Sequence, residues 1–253
     1  MKCNRLEKKF TNCYYLKEVC RQKGATMKKI ATVFTQFPEK FGIPRQSGIV
    51  EELEGKIVFE TPYRNIDAVR GLEGFSHIWL IWEFSANEEK PFAPTVRPPR
   101  LGGNTRMGVF ATRSPFRPNR LGLSCVRLER IDLEDAQAPV LYVAGADLMN
   151  GTPLYDIKPY VEADMHPNAR FGFTENKPFT LLEVCIEPDL AKKAGGRLPA
   201  LRKILANKPV PAYQSDPDRV YGMSFDGLEI KFRITAEQCE VLDIIQTAPD
   251  IHE

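Results

Sequence analysis

Residues 74–84 read GFSHIWLIWEF, the most apolar window in this 253-residue chain. The run is too short to cross a membrane, and His77 and Glu83 lie inside it. Its tryptophans and isoleucines favour a strand, and its apolar character on both sides predicts a central one over 77–84. Similar β-rich runs at 30–34, 56–59, 107–112, 124–131 and 140–144 alternate with connectors rich in Gly, Pro, Asn and Asp. No long amphipathic helix separates them. Strands at such intervals predict a mainly β fold over residues 27–163, an antiparallel barrel that is closed or nearly so. A short helical turn is expected around 67–72.

Beyond residue 164 the texture changes to a small C-terminal α+β appendage over 164–253. HPNARFGFTENKPF is a linker, and EPDLAKKAGGRLPALRKILANK predicts one or two amphipathic helices interrupted at Gly195-Gly196. VYGMSFDGLEIKFRIT predicts a hairpin turning at Asp226-Gly227, and CEVLDII a third strand. At the other end, residues 1–26 form an N-terminal extension of uncertain status, carrying seven Lys/Arg against two Glu. Met27 heads MKKIATVF and is an alternative start.

The formal net charge of +2 therefore divides into +5 for residues 1–26 and −3 for the rest. Bulk charge gives no support to nonspecific nucleic-acid binding, so any RNA contact must be local. No signal-peptide pattern opens the chain, which predicts a cytoplasmic protein without membrane association. The six cysteines contain no CxxC and match no zinc spacing, and with three histidines no metal site is expected.

One local feature stands out. Residues 97–124, RPPRLGGNTRMGVFATRSPFRPNRLGLS, hold six arginines with no lysine and no carboxylate. Solvated basic faces mix Lys with Arg and intersperse acids, whereas arginine forks suit phosphate, carboxylate or base edges. The intervening Gly and Pro make this a shaped loop, and an anionic ligand is expected there.

The signatures of other catalytic classes are absent: there is no GxGxxG after a strand, no P-loop, no HExxH and no GxSxG. Four clusters remain. In FGIPRQSG, Pro44 fixes a tight connector that presents the donors of Arg45 and Gln46. In FSHIW, His77 is either a satisfied core histidine or a hydrogen-bonding partner for a base or ribose. In ATRSPFRPN, Arg113 is expected to project from a strand end into a turn stiffened by Pro115 and Pro118. In DLMNGTPLYDIKPY, Asn150-Gly151 signals a turn and Asp156 can pair with Lys158. Asp147 followed by Leu148-Met149 suits an adenosyl group, an acid for its polar handle and aliphatics for its ring.

Taken together, PRQSG, VRGLEGFSHIW, TVRPPRLGGNTRMGVFATRSPFRPN, GLS and DLMNGTPLYDIKPY resemble the TrmO (TsaA-like) family over about residues 28–163. KPVPAYQ and VYGMSFDGLEIKFRI are similar to the appendage of its bacterial members. The resemblance implies a β-barrel methyltransferase that uses S-adenosylmethionine to methylate N6 of threonylcarbamoyladenosine beside the tRNA anticodon. It also implies a homodimer with the cofactor pocket near the subunit interface. Matched block to block, it assigns cofactor contacts to Pro44, Arg45, Gln46, His77, Ile78, Arg113, Leu123, Asp147, Leu148, Met149 and Asn150. Arg117, Asn119 and Arg120 fall to the substrate, and Asp147 or His77 to accepting the N6 proton. One departure is visible: where the family usually reads Arg-Pro-Asn-Pro-Ile-Gly, this chain has Arg117-Pro118-Asn119-Arg120-Leu121-Gly122. Two other functions fit parts of the pattern: a non-catalytic RNA-binding β-barrel, and a methyltransferase acting on a small anionic substrate.

Overall fold

The computed structural model describes residues 27–175, 181–210, 216–235 and 237–247, so the expectations for 1–26, for 176–179 of the linker and for 211–214 of KPVPAYQ lie outside the described residues. A closed barrel forms the first half. Its strands are β1 (Ala31–Thr35), β2 (Glu54–Phe59), β3 (His77–Glu83), β6 (Leu121–Asp132), β7 (Val140–Ala144) and β8 (Thr152–Pro159). They run round in the order β1-β2-β7-β6-β3-β8, antiparallel at every pairing. Closure leaves no sheet edge to cap. The interior is filled by alternate residues such as Val33, Ile57, Leu80, Val126, Leu141 and Leu154, each essentially inaccessible. Each such side chain contributes roughly 1.5–3 kcal/mol of burial.

Two expectations change here. The 77–84 run is not buried on both faces: Ile78, Leu80 and Trp82 point inward while Trp79, Ile81 and Glu83 lie half-exposed outside. The run at 107–112 is not a barrel strand. Only Met107–Gly108 (β5) pairs, with Thr95–Val96 (β4) in a two-stranded ribbon, and Val109–Ala111 then coils into a 3-10 turn. Phe110 is exposed in that turn, so the apolar character that suggested a strand does not mark burial. The sixth barrel strand is β8, whose alternation is masked in sequence by Pro153, Asp156 and Lys158. The expected Asp156–Lys158 pair forms at 3.2 Å, and the turn expected at 67–72 appears as 3-10 turns at Ile66–Val69 and Leu72–Gly74.

The C-terminal part is a four-stranded sheet ordered β10 (Val220–Phe225), β11 (Leu228–Ile234), β12 (Gln238–Gln246) and β9 (Glu183–Cys185). The predicted hairpin turns at Asp226-Gly227, both with positive φ. The predicted helical stretch breaks at Gly195 into α1 (Pro188–Ala194) and α2 (Leu198–Ala206). Strand β9, three residues long and parallel to β12, has too little periodicity to be seen in sequence.

The most consequential packing is between the two parts. Phe37, Val50 and Leu53, from the connector between β1 and β2, are buried in the C-terminal core beside Leu201, Phe225 and Phe232. Phe41, Ile43 and Ile49 pack against the same cluster. Gly42 lies against Met223 at φ +95°, and a Cβ there would fall 2.3 Å from the Met223 sulfur. A Lys203–Glu52 ion pair at 2.6 Å and a hydrogen bond from the Asp226 amide to the Gln36 carbonyl at 2.9 Å close the seam. The PRQ segment thus hangs between two cores.

Candidate functional site

A groove of about 1950 Å³ opens between this segment, the outer ends of β3 and β6, and the arginine-rich connector. Its floor is Asp147. The Ser124 hydroxyl donates to the Asp147 carboxylate at 2.6 Å and accepts from the Trp82 indole N–H at 3.0 Å. Gly122 permits this chain, because a Cβ there would lie 2.3 Å from the Trp82 ring. Burial pushes the Asp147 carboxyl above the usual carboxylate range. The Ser124 hydrogen bond and the nearby Arg113 guanidinium pull the other way without cancelling it.

The PRQ wall is fastened to this floor. The Gly48 amide donates to the Gly145 carbonyl at 2.9 Å, the Gly145 amide to the Leu53 carbonyl at 2.7 Å, and the Cys125 amide to the Ser47 hydroxyl at 3.2 Å. Pro44, Arg45 and Gln46 line the groove. Arg45 sits below its ordinary pKa through burial and the proximity of Arg100, two cations held towards one space. Across the groove stand Arg97, Arg100, Arg106, Arg113 and Arg117. With Arg45 and Lys40 they make seven cationic side chains against two carboxylates, Asp147 and Glu83. Such a surface concentrates anions.

The residues singled out from sequence separate into two groups. Pro44, Arg45, Gln46, Arg113, Arg117, Asn119, Leu123, Asp147 and Met149 all line the groove. Arg113 reaches it from the irregular stretch after a 3-10 turn, not from the strand end expected. Leu148 is fully buried in the barrel core, and its carbonyl accepts from the Thr35 hydroxyl at 2.8 Å. The Asn150 side chain accepts from the Thr35 amide at 3.1 Å, so both residues shape the Asp147 turn from behind. Ile78 is fully buried in the same core. His77 contacts Ser76 and Tyr160 at the far end of β3. It is six residues from Glu83, which at strand rise is about 20 Å from the groove side. Neither lines the groove of its own chain.

Arg120 does not line the groove, and both Arg117 and Arg120 make internal contacts. Arg117 donates to the Val109 and Thr112 carbonyls at 3.3 and 2.7 Å. Arg120 pairs with Glu83 at 2.8 Å and donates to the Asn87 carbonyl at 2.9 Å, while the Tyr155 hydroxyl donates to the other Glu83 oxygen at 2.5 Å. The sequence reasoning missed Ser124 and Trp82. The available signal was a serine at an inward position of a barrel strand, within the GLS block. Phe171–Thr174, also lining the groove, carried no signal beyond a linker composition.

Comparison with known proteins agrees along nearly the whole described chain. A family model described as the tRNA-methyltransferase O N-terminal domain matches residues 32–164, and one described as the TrmO C-terminal domain matches residues 188–247. The chain is similar to a tRNA (adenine(37)-N6)-methyltransferase of Escherichia coli strain K12, 38% identical over 223 residues, covering 84% of this chain and 94% of that protein. A protein of the same name from Eikenella corrodens is 47% identical over 166 residues, 63% of this chain and 91% of its own. Among solved structures, TrmO from Pseudomonas aeruginosa superposes with a TM-score of 0.70 at 30% identity, covering 87% of this chain and 97% of that one.

Proposed function

The chain belongs to the tRNA-methyltransferase O family, and from that premise we propose that it methylates N6 of the adenine at tRNA position 37, with S-adenosylmethionine as donor. The modified base is threonylcarbamoyladenosine, and the enzyme works in the cytoplasm as a homodimer. The observation that carries this reading is the groove itself: a buried carboxylate at the floor, a fastened PRQ wall, and an opposing wall of arginines. At about 1950 Å³ it exceeds the 300–1,000 Å³ typical of small-molecule pockets, which favours an RNA-sized substrate over a small anion.

The residues present suit the donor. Leu123 and Met149 offer apolar contact for an adenine ring, Asp147 an acceptor for a ribose hydroxyl or ammonium, and Arg45 or Arg113 a fork for a carboxylate. S-adenosylmethionine supplies an electrophilic methyl group without any metal. The protein's task is then to position and desolvate, and well-held reactants can gain about 7–11 kcal/mol of barrier reduction. The acceptor nitrogen carries one proton that must leave. Asp147 takes it: burial makes this carboxylate more basic, and the Ser124 hydroxyl fixes one of its oxygens. Arg117 or Arg120 would offer a fork to the threonyl carboxylate, with Asn119 beside them, and Arg97, Arg100 and Arg106 on the groove would meet anticodon-loop phosphates.

His77 and Ile78, which the resemblance also gives to the cofactor, require a second copy of the chain to bring that end of β3 to the groove. The half-exposed outer face of β3 and β6, with Trp79, Ile81 and the exposed Leu123, offers an apolar surface for such pairing. The deciding experiment is methyl transfer from labelled S-adenosylmethionine to tRNA with and without the threonylcarbamoyl group. Label at position 37 of the modified tRNA alone supports the reading. Label on a free nucleotide, or none with binding retained, would overturn it in favour of the small-substrate or the non-catalytic reading.

A further inference from the structure

The arginine wall carries a second kind of surface. Phe110 is 72% exposed, Phe92 59% and Phe116 48%, all in the connector between β3 and β6. The Phe92 and Phe110 rings lie 6.3 Å apart at 26°, close to parallel. The Arg117 guanidinium sits 5.8 Å from the Phe110 ring centre and the Lys90 ammonium 5.7 Å from that of Phe116. Scattered exposed phenylalanines are ordinary, but a cluster interleaved with cations at a groove mouth is not.

Phe110 is also held outward by construction. It occupies the middle of the Val109–Ala111 turn, whose Val109 side chain is buried. The Val109 carbonyl before it and the Thr112 carbonyl after it both accept from Arg117, and the Thr112 hydroxyl donates to Val109 as well. Three hydrogen bonds thus fix the backbone that presents the ring to solvent, so little backbone entropy is left to lose on binding.

Resting on the methyltransferase reading above, we propose that Phe110, with Phe92 and Phe116, is a stacking platform for unpaired bases flanking the modified nucleotide. Every base has a π face, so phenyl rings grip single-stranded RNA without selecting sequence, while adjacent cations hold its phosphates. A second copy of this chain is the disfavoured occupant. A symmetric contact would place one arginine-rich wall against another, with like charges opposed, since Lys90 and six arginines in this connector outnumber its two carboxylates, Glu88 and Glu89.

The test uses the full-length protein and a synthetic anticodon stem–loop RNA carrying threonylcarbamoyladenosine. The dissociation constant would be measured for wild type and for Phe110→Ala, Phe110→Leu and Phe110→Tyr, together with S-adenosylmethionine affinity. Loss of one base stack is expected to weaken RNA binding by roughly 5- to 150-fold in the Ala and Leu variants. Tyr should remain near wild type, and cofactor affinity should be unchanged in all three. Leu binding as well as wild type would overturn the platform, since only an apolar contact would be needed. So would an Ala variant that alters the oligomer mass while leaving RNA affinity intact. If wild type methylates tRNA and the Phe110 variants match it, the platform fails alone. If wild type neither binds nor methylates tRNA, the underlying function fails with it.

Discussion

The two walls of the groove are built on opposite principles. The PRQ wall is flanked by buried Phe37, Val50 and Leu53 on the C-terminal side and tied to Gly145 and Cys125 on the barrel side. The arginine wall, residues 86–119, buries only Val109 and Pro98 and is otherwise half-exposed or exposed. A small donor molecule with a fixed shape is best met by a preorganised wall, whose ordering cost is met at folding. A folded RNA of variable sequence is better met by charge and rings displayed on an exposed connector. The C-terminal part packs on the residues flanking the PRQ wall, and under the proposed function it buttresses the wall that would hold the cofactor.

Truncating one phenylalanine on each wall breaks or sharpens that contrast most directly. Phe37 is fully buried and packs on Phe225 with ring centres 5.2 Å apart. Phe37→Ala should cost about 3–5 kcal/mol of unfolding free energy. Phe110→Ala, on the opposite wall, should stay within about 0.5 kcal/mol of wild type. Denaturant titrations of both variants check this, and similar losses would mean that the arginine wall is also part of a core.

Asp147 tests the floor between the walls. Asp147→Asn should reduce methyl transfer by about 10²–10⁴-fold while leaving tRNA affinity unchanged. Its stability should move the other way. With the native pKa raised above an unfolded value of about 3.9, the native state holds more protons between the two, so stability falls as pH rises through that window. The penalty is absent below about pH 4 and persists above the native pKa, so Asp147→Asn should be the more stable protein at neutral pH. The activity profile should show its acidic limb above the usual carboxylate range. A limb within that range would remove Asp147 as the proton acceptor.

Arg113 stands on the arginine wall yet faces the floor. Arg113→Ala should weaken S-adenosylmethionine binding by about 10- to 150-fold, the loss of a charge-assisted hydrogen bond worth about 1.5–3 kcal/mol. Thermal stability should hold, because the side chain is exposed. Calorimetric titration decides it, and unchanged affinity would leave the cofactor to the PRQ wall alone.

Much of this was visible in the residues, and the misses share a cause. Barrel strands with clean alternation, the Asp226-Gly227 hairpin and the helix break at Gly195 are local features that local pattern specifies. The 107–112 run failed because Val109 and Phe110 look like strand residues, while the pairing with β4 ends at Gly108 and the chain coils into a 3-10 turn. The groove residues were legible where chemistry is unusual for a loop, as in the arginines, whereas Pro44–Gln46 stood out only beside the other family-like blocks. Leu148 and Asn150 were legible as a block but not as back-side supports, because which face a turn residue presents depends on Thr35 far away in sequence. The burial of Phe37 in the C-terminal core was not legible at all, since nothing local marks a contact across such separation.

Arg120 gives the finest test, because its backbone and side chain make separable demands. It adopts φ +47°, which a proline, locked near −65°, cannot share; the turn here therefore differs from any built on the proline usual in the family. Its guanidinium meanwhile ties the arginine wall to Glu83 at the end of β3. Arg120→Ala loses the tie and keeps the strained φ, whereas Arg120→Gly loses the tie and relaxes it. The half-exposed ion pair is worth at most about 1 kcal/mol, so both variants should be only mildly destabilised. Glycine should be the more stable of the two by about 1 kcal/mol, the cost of holding a Cβ in the left-handed region. In both, the KM for tRNA should rise a few-fold with cofactor affinity unaffected, since the tie holds the RNA wall and not the cofactor wall. Collapse of cofactor binding with tRNA binding retained would show that the two walls are coupled through Glu83, and the division of labour between them would have to be redrawn.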